Sequence, residues 1–154
     1  MTDPLVETWQ IHDRINAYLL AAIPAPAMDA RAASGGRSVG QVFAHLHNVR
    51  LMWLSAAGSL LPAGVAKLDT DGKLSAVALT KTLAGSGSAI ASLVEGSLAA
   101  GGRIKGFKPH VHAFVGYLVA HESHHRGQIL LALKTNGTPL DKKTGYGMWE
   151  WGVR

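Results

Sequence analysis

Apolar residues recur at helical spacing along four long stretches of the chain, and no stretch alternates as a hairpin strand would. The first stretch runs from about Pro4 to Ile23, with Leu5, Trp9, Ile15, Leu19 and Leu20 on its apolar side. Asp3 is placed to cap it, Pro4 suits the first helical position, and Pro24 and Pro26 stop it. Gly35-Gly36 leads to a second helix. There Ser38 and Gln41 have capping-box spacing, in which each side chain satisfies a free backbone N–H. Val39, Val42, Leu46, Val49 and Trp53 continue that helix to about Gly58.

A stretch with Pro62, Gly64 and Asp71-Gly72 separates it from a third helix over Leu74 to Ala100, with Leu79, Leu83, Ile90, Leu93 and Val94 inside. Gly85-Ser86-Gly87-Ser88 is its soft centre, since each glycine costs a helix about 1 kcal/mol. Gly101-Gly102 ends it and Pro109 opens a fourth helix, which Asn136-Gly137 and Pro139 stop. The remaining residues, with Trp149 and Trp151, read as an irregular tail packing its indoles on the helices. The expected fold is all-α: one antiparallel four-helix bundle over residues 1–154, a single domain.

Composition narrows the classes. Hydrophobic residues make up 47% and charged residues 16%, too apolar for a disordered chain. No uninterrupted apolar run approaches the roughly 18–20 residues that span a bilayer. Met1-Thr2-Asp3-Pro4 does not resemble a secretion signal, so the expected location is the cytoplasm. The absence of cysteine excludes disulfides, thiolate metal cages and a cysteine nucleophile, so any thiol chemistry needs a small-molecule thiol. The net charge is +5, but Arg14, Arg31, Arg37, Arg50, Lys67, Lys73 and Lys81 are scattered, and only Arg103, Lys105 and Lys108 cluster. That pattern describes a solvated surface rather than a nucleic-acid or membrane face.

The candidate chemistry lies in His121-Glu122-Ser123-His124-His125-Arg126-Gly127-Gln128. Residues four apart share a helix face, so His121 and His125 can aim ring nitrogens at one ion about 2 Å from each. Phe114, Leu118, Ile129 and Ala132 mark the inner stripe, and at about 100° per residue both histidines fall roughly 40° or less from its centre. Two buried imidazoles need partners, and a shared metal supplies one. His124 falls at the edge. The third ligand must come from another helix. Taking the second helix to centre near Val42, Val49 and Trp53, His45 lies about 60° from its inner stripe and His47 about 140° away, facing solvent or a loop. His45 is therefore the choice; His12, His110 and His112 look unremarkable. Three histidine ligands leave a coordination position open for water or a substrate thiolate. An all-imidazole site suits zinc, nickel, iron or manganese.

Ser38-Val39-Gly40-Gln41-Val42-Phe43-Ala44-His45 resembles the entry to the second helix of DinB-like (DinB/YfiT) proteins. His121-x-x-x-His125-Arg126-Gly127-Gln128 resembles their fourth-helix signature, and helix order agrees over nearly the whole chain. The resemblance implies a four-helix bundle and a three-histidine site for zinc, nickel or a similar ion, with His45, His121 and His125 as ligands. It implies a small-molecule substrate, a low-molecular-weight thiol as cosubstrate and S-transferase or isomerase chemistry, and often a homodimer.

Two rivals compete. His121-Glu122-x-x-His125 is also the zincin motif, with the glutamate as base, and Glu150 would then be the downstream ligand. A non-catalytic bundle that senses or stores a metal or small ligand is the other. Glu122 is the nearest candidate acid–base group, though its spacing suits a surface pair with Arg126. Gln128, one turn past His125, is placed to orient a ligand or to hold His45.

Overall fold

A computed structural model describes all residues, 1–154. The chain is mostly helical, with two small antiparallel sheets. The four long helices are α1 (Pro4–Ala21), α2 (Val39–Ala56), α3 (Ala76–Ala99) and α4 (Val111–Thr135). A short helix, α5 (Lys142–Gly147), follows.

Local signals set the helix starts as expected. Asp3 Oδ1 accepts from the Leu5 N–H at 2.8 Å, and Pro4 opens α1. Ser38 and Gln41 form both bonds of the capping box, at 2.9 and 3.2 Å. α3 runs unbroken through Gly85–Ser88. The reason lies at Gly87, where a Cβ would collide with the Asp13 carboxylate. Its bare backbone lets α1 approach, and its carbonyl accepts from Trp9 Nε1 at 2.9 Å. The cost of glycine in the helix is offset by tertiary contact.

Two hairpins correct the expectation of none. β1 (Arg31–Ala32) pairs with β2 (Gly35–Ser38), and β3 (Arg103–Ile104) pairs with β4 (Phe107–His110). Strands of two to four residues are too short to show alternation. Each hairpin ends on the capping residue of the next helix. Ser38 caps α2, and the His110 side chain caps α4 by accepting from the Ala113 N–H at 3.2 Å. The fourth helix therefore starts at Val111, two residues past Pro109. His110 and His112 are exposed, as expected.

The core forms two apolar clusters. One gathers Leu19, Leu20, Val39, Phe43, Leu46, Leu79, Leu83 and Ile129; the other gathers Trp9, Leu54, Ile90, Val94, Val111, Phe114 and Leu118. Between the long helices lies a buried polar network, described below. α3 is long and apolar enough to cross a membrane by length and composition, with a mean hydropathy of 1.3, which the search for uninterrupted runs did not flag. Here it buries Leu79, Leu83, Ile90 and Val94 against the other helices. The tail is less tightly packed than expected. Asp141 caps α5, Trp151 is half-buried, and Trp149 is 80% exposed.

Candidate metal centre

α2 presents His45 to the pair that α4 presents one turn apart, His121 and His125. One potential ligand atom from each of the three lies within 4.8 Å of the others. His121 Nε2 and His125 Nε2 are 3.1 Å apart. The His45 ring centroid is 4.6 Å from that of His125 and 5.5 Å from that of His121. His125 is buried while His45 and His121 are half-buried, so the cluster sits at the border of the core and faces solvent on one side. Tyr117 stacks on His121 with centroids 6.2 Å apart.

Gln128 sets the state of His125. Its Oε1 lies 2.8 Å from His125 Nδ1, so Nδ1–H donates there and Nε2 keeps its lone pair toward the cluster. The Gln128 amide nitrogen meets the exposed His124 at 3.3 Å. Gln128 thus holds His125, not His45 as the sequence suggested. His121 Nδ1 is buried without a partner. Burial lowers the pKa of all three histidines. For His45 burial is joined by the charges of Arg37, His125 and His121, and its pKa falls to about 4. Three imidazoles neutral at pH 7, one in a fixed tautomer, fit a divalent ion that accepts nitrogen ligands.

His47 is correctly excluded from the cluster but is fully buried, its Nε2 2.8 Å from the Ala66 carbonyl in the loop after α2. Glu150 lies apart from the histidines and pairs with Arg154 at 3.5 Å, which leaves the protease reading without its ligand.

Glu122 is neither a surface residue nor part of the cluster. It is 1% exposed and accepts from Arg50 through both oxygens, Nε–Oε1 at 2.7 Å and Nη2–Oε2 at 2.8 Å. Asn16 Nδ2 donates to Oε2 at 2.6 Å and His12 Nε2 bonds it at 2.8 Å. Burial alone would raise its pKa, but the charge and hydrogen bonds of Arg50 hold it well below the carboxylate range. A carboxylate so saturated has no free lone pair for acid–base work. Arg50, fully buried, also bonds Asp13 Oδ1 and the Leu83 carbonyl and lies over the Trp9 ring at 4.9 Å. Arg126, the expected surface partner of Glu122, instead donates to Asn16 and Ser123. The sequence reading missed Arg50 and His12 entirely. The one available signal was position: both fall on buried faces among apolar neighbours.

The comparisons with known proteins bear on this arrangement. A family model described as the DinB superfamily matches residues 10–129, most of the chain and all three clustered histidines. The chain belongs to the DinB superfamily. A crystal structure of a DinB-like protein from Bacillus cereus shares the fold, with a TM-score of 0.68 at 18% identity, over 89% of this chain and 93% of that one. No curated protein matches. For this DinB superfamily chain, the resemblance read from Ser38–His45 and His121–Gln128 was correct.

A pH dependence follows from the buried imidazoles. His12, His45, His47, His121 and His125 all have pKa values lowered from 6.5 by burial. The unfolded chain therefore binds protons first as pH falls. Stability of the metal-free protein should be full above pH 6.5 and decline between 6.5 and about 4. Urea midpoints at pH 7.5 and 5 check this; equal midpoints would show the imidazoles to be solvated.

Proposed function

We propose that His45, His121 and His125 hold one divalent metal ion in an antiparallel four-helix bundle, and that the protein is a metal-dependent enzyme acting on a small molecule. The carrying observation is the convergence of the three imidazoles from two helices, with His125 Nε2 freed by Gln128. Zinc or nickel suits the donor set best, and iron or manganese is compatible with it. Bound there, such an ion lowers the pKa of a coordinated water or thiol and so supplies a nucleophile near neutral pH.

The chain's own residues do the rest. Gln128 fixes the orientation of His125, and Tyr117 and His121 form one wall. Arg37 adds positive charge beside the cluster, which favours substrates that carry or develop negative charge. The cluster contains no carboxylate, so the chemistry we favour needs no protein acid or base. Thiol-dependent S-transfer meets that condition, and hydrolysis is the second choice. Residues 1–154 would form a single domain working in the cytoplasm, where low-molecular-weight thiols stay reduced. Its partner would be a small molecule, not nucleic acid or membrane, and its assembly a homodimer.

The test is a panel of small thiols and electrophiles, run with zinc- or nickel-loaded protein and with chelator-treated protein. Turnover that needs both metal and thiol is the expected result. Stoichiometric metal without any turnover would favour the sensing or storage reading instead. Within the same assay, Gln128→Leu should weaken the metal about 10–100-fold, because His125 loses the bond that fixes its tautomer. Gln128 is exposed, so folding should be unaffected. A competition titration with a coloured chelator reads the change; unchanged affinity would show that Gln128 is a bystander.

A further inference from the structure

On the side of α4 opposite His121 and His125 lies a second cavity, of about 390 Å³, between α1, α4 and the C-terminal tail. Ser123, Arg126, Gly127 and Leu130 form its α4 wall, and Trp149 and Trp151 its outer wall. It is mostly apolar, yet a half-buried guanidinium opens onto it. Arg126 has five N–H donors. Three are engaged, by Asn16 Oδ1 at 2.7 Å, Ser123 Oγ at 2.9 Å and His12 Nδ1 at 3.3 Å, which leaves two without a partner. No carboxylate bonds it, because Glu122 and Asp13 are both taken by Arg50. Charges withdrawn from water are ordinarily paired, so this guanidinium is set up for an anion that the chain does not provide.

The second observation is the tail. Trp149 is 80% exposed, an unusual place for an indole that touches nothing else of its own chain closely enough to be covered. Gly127 has open space where a Cβ would stand, so the floor of the cavity is bare backbone. A cation at one end and two indoles with Leu130 at the other describe an amphipathic partner of opposite charge.

We propose that this cavity binds a small apolar carboxylate, with its carboxylate on Arg126 and its body between Leu130 and the indoles of Trp149 and Trp151. The site is separate from the histidine cluster and does not depend on the metal.

Octanoate is the probe, titrated calorimetrically into chelator-treated protein up to roughly 10 mM, a range that captures millimolar affinity. Saturable one-to-one binding is expected, with quenching or enhancement of tryptophan fluorescence. Arg126→Met should weaken it at least about ten-fold, the loss of a charge-assisted bond. Since Arg126 also bonds Asn16 and Ser123, that variant alone could fail by unfolding. Gly127→Leu covers that case: it fills the cavity, touches none of the polar network and should raise Tm by replacing a helical glycine. It should abolish binding in a folded protein. 1-Octanol should bind at least about ten-fold more weakly than octanoate. His125→Ala should bind octanoate as the parent does. The proposal is overturned by absence of saturable binding, by wild-type affinity in Gly127→Leu, by equal binding of octanol, or by loss in His125→Ala, which would place the carboxylate at the histidines.

Discussion

Glu122→Gln should cost about 3–5 kcal/mol of folding stability, the range measured when one partner of a buried ion pair is removed. The substitution keeps the shape of the side chain, so packing is not disturbed. It removes the negative charge that both arms of Arg50 grip, at 2.7 and 2.8 Å. It also sets an amide NH2 against donors on one side or the other, since Arg50 Nε faces Oε1 while Arg50 Nη2, Asn16 and His12 crowd Oε2. Arg50, at 0% exposure, would be left with Asp13 alone, itself 24% exposed. Total stabilities of about 5–15 kcal/mol make this a third or more of the whole. Urea denaturation should show a lower midpoint at unchanged slope. A loss under about 1 kcal/mol would mean that water reaches Arg50 and that the network is not closed. Arg50→Met with Glu122→Met should then cost far less than the two single changes added, because neither leaves a buried charge alone.

This network also shows where reading the sequence stopped. The α4 stripe drawn from Phe114, Leu118, Ile129 and Ala132 omitted Val115 and Leu133, both buried. Including them turns the centre of the stripe toward Glu122, at roughly 100° per residue. On α2 the stripe was centred on Val49 and Trp53, which are only half-buried; Val39, Phe43, Leu46, Arg50 and Leu54 are the residues at 0–1% exposure. The true centre brings His47 and Arg50 inside and moves His45 to the edge. A charged residue in the middle of an apolar face reads as an interruption, so periodicity steers away from it. Only its partners, on other helices, make it a core residue. His12 and Glu122 stand 110 positions apart and meet at 2.8 Å, a pairing that no local pattern carries.

The signals that succeeded were local. Caps at Asp3 and Ser38, the stop at Asn136-Gly137 and the one-turn spacing of His121 and His125 each involve a few neighbouring residues. His45 was chosen over His47 by a rotation that was itself misplaced. The choice survived because the histidine cluster sits at the border of the core, where an edge residue of α2 can meet α4. The hairpins before α2 and α4 escaped notice for the opposite reason: two paired residues per strand carry no period at all.

Replacing any one of the three clustered histidines by alanine should abolish stoichiometric metal binding. His125→Ala is the sharpest case, since His125 is the member whose lone pair the fold fixes. Its removal leaves His45 and His121, half-buried and without another nitrogen donor in the cluster to complete three ligands. A metal present at 100 times its dissociation constant stabilises the folded form by about 2.7 kcal/mol. For a chain of this size that corresponds to a rise in Tm of about 5–10 °C over the chelator-treated protein. His125→Ala, His121→Ala and His45→Ala should each lose both the metal, by elemental analysis, and this rise. His124→Ala should keep both, because its ring is exposed and meets Gln128 rather than the centre of the cluster. His47→Ala should keep the metal while losing stability of its own, because its ring is buried against the Ala66 carbonyl. The two readouts separate ligation from folding, since a ligand variant is stable yet metal-free and a core variant is metal-loaded yet less stable. Retained stoichiometric metal in His125→Ala would move the site elsewhere, whatever the spacing of the three rings.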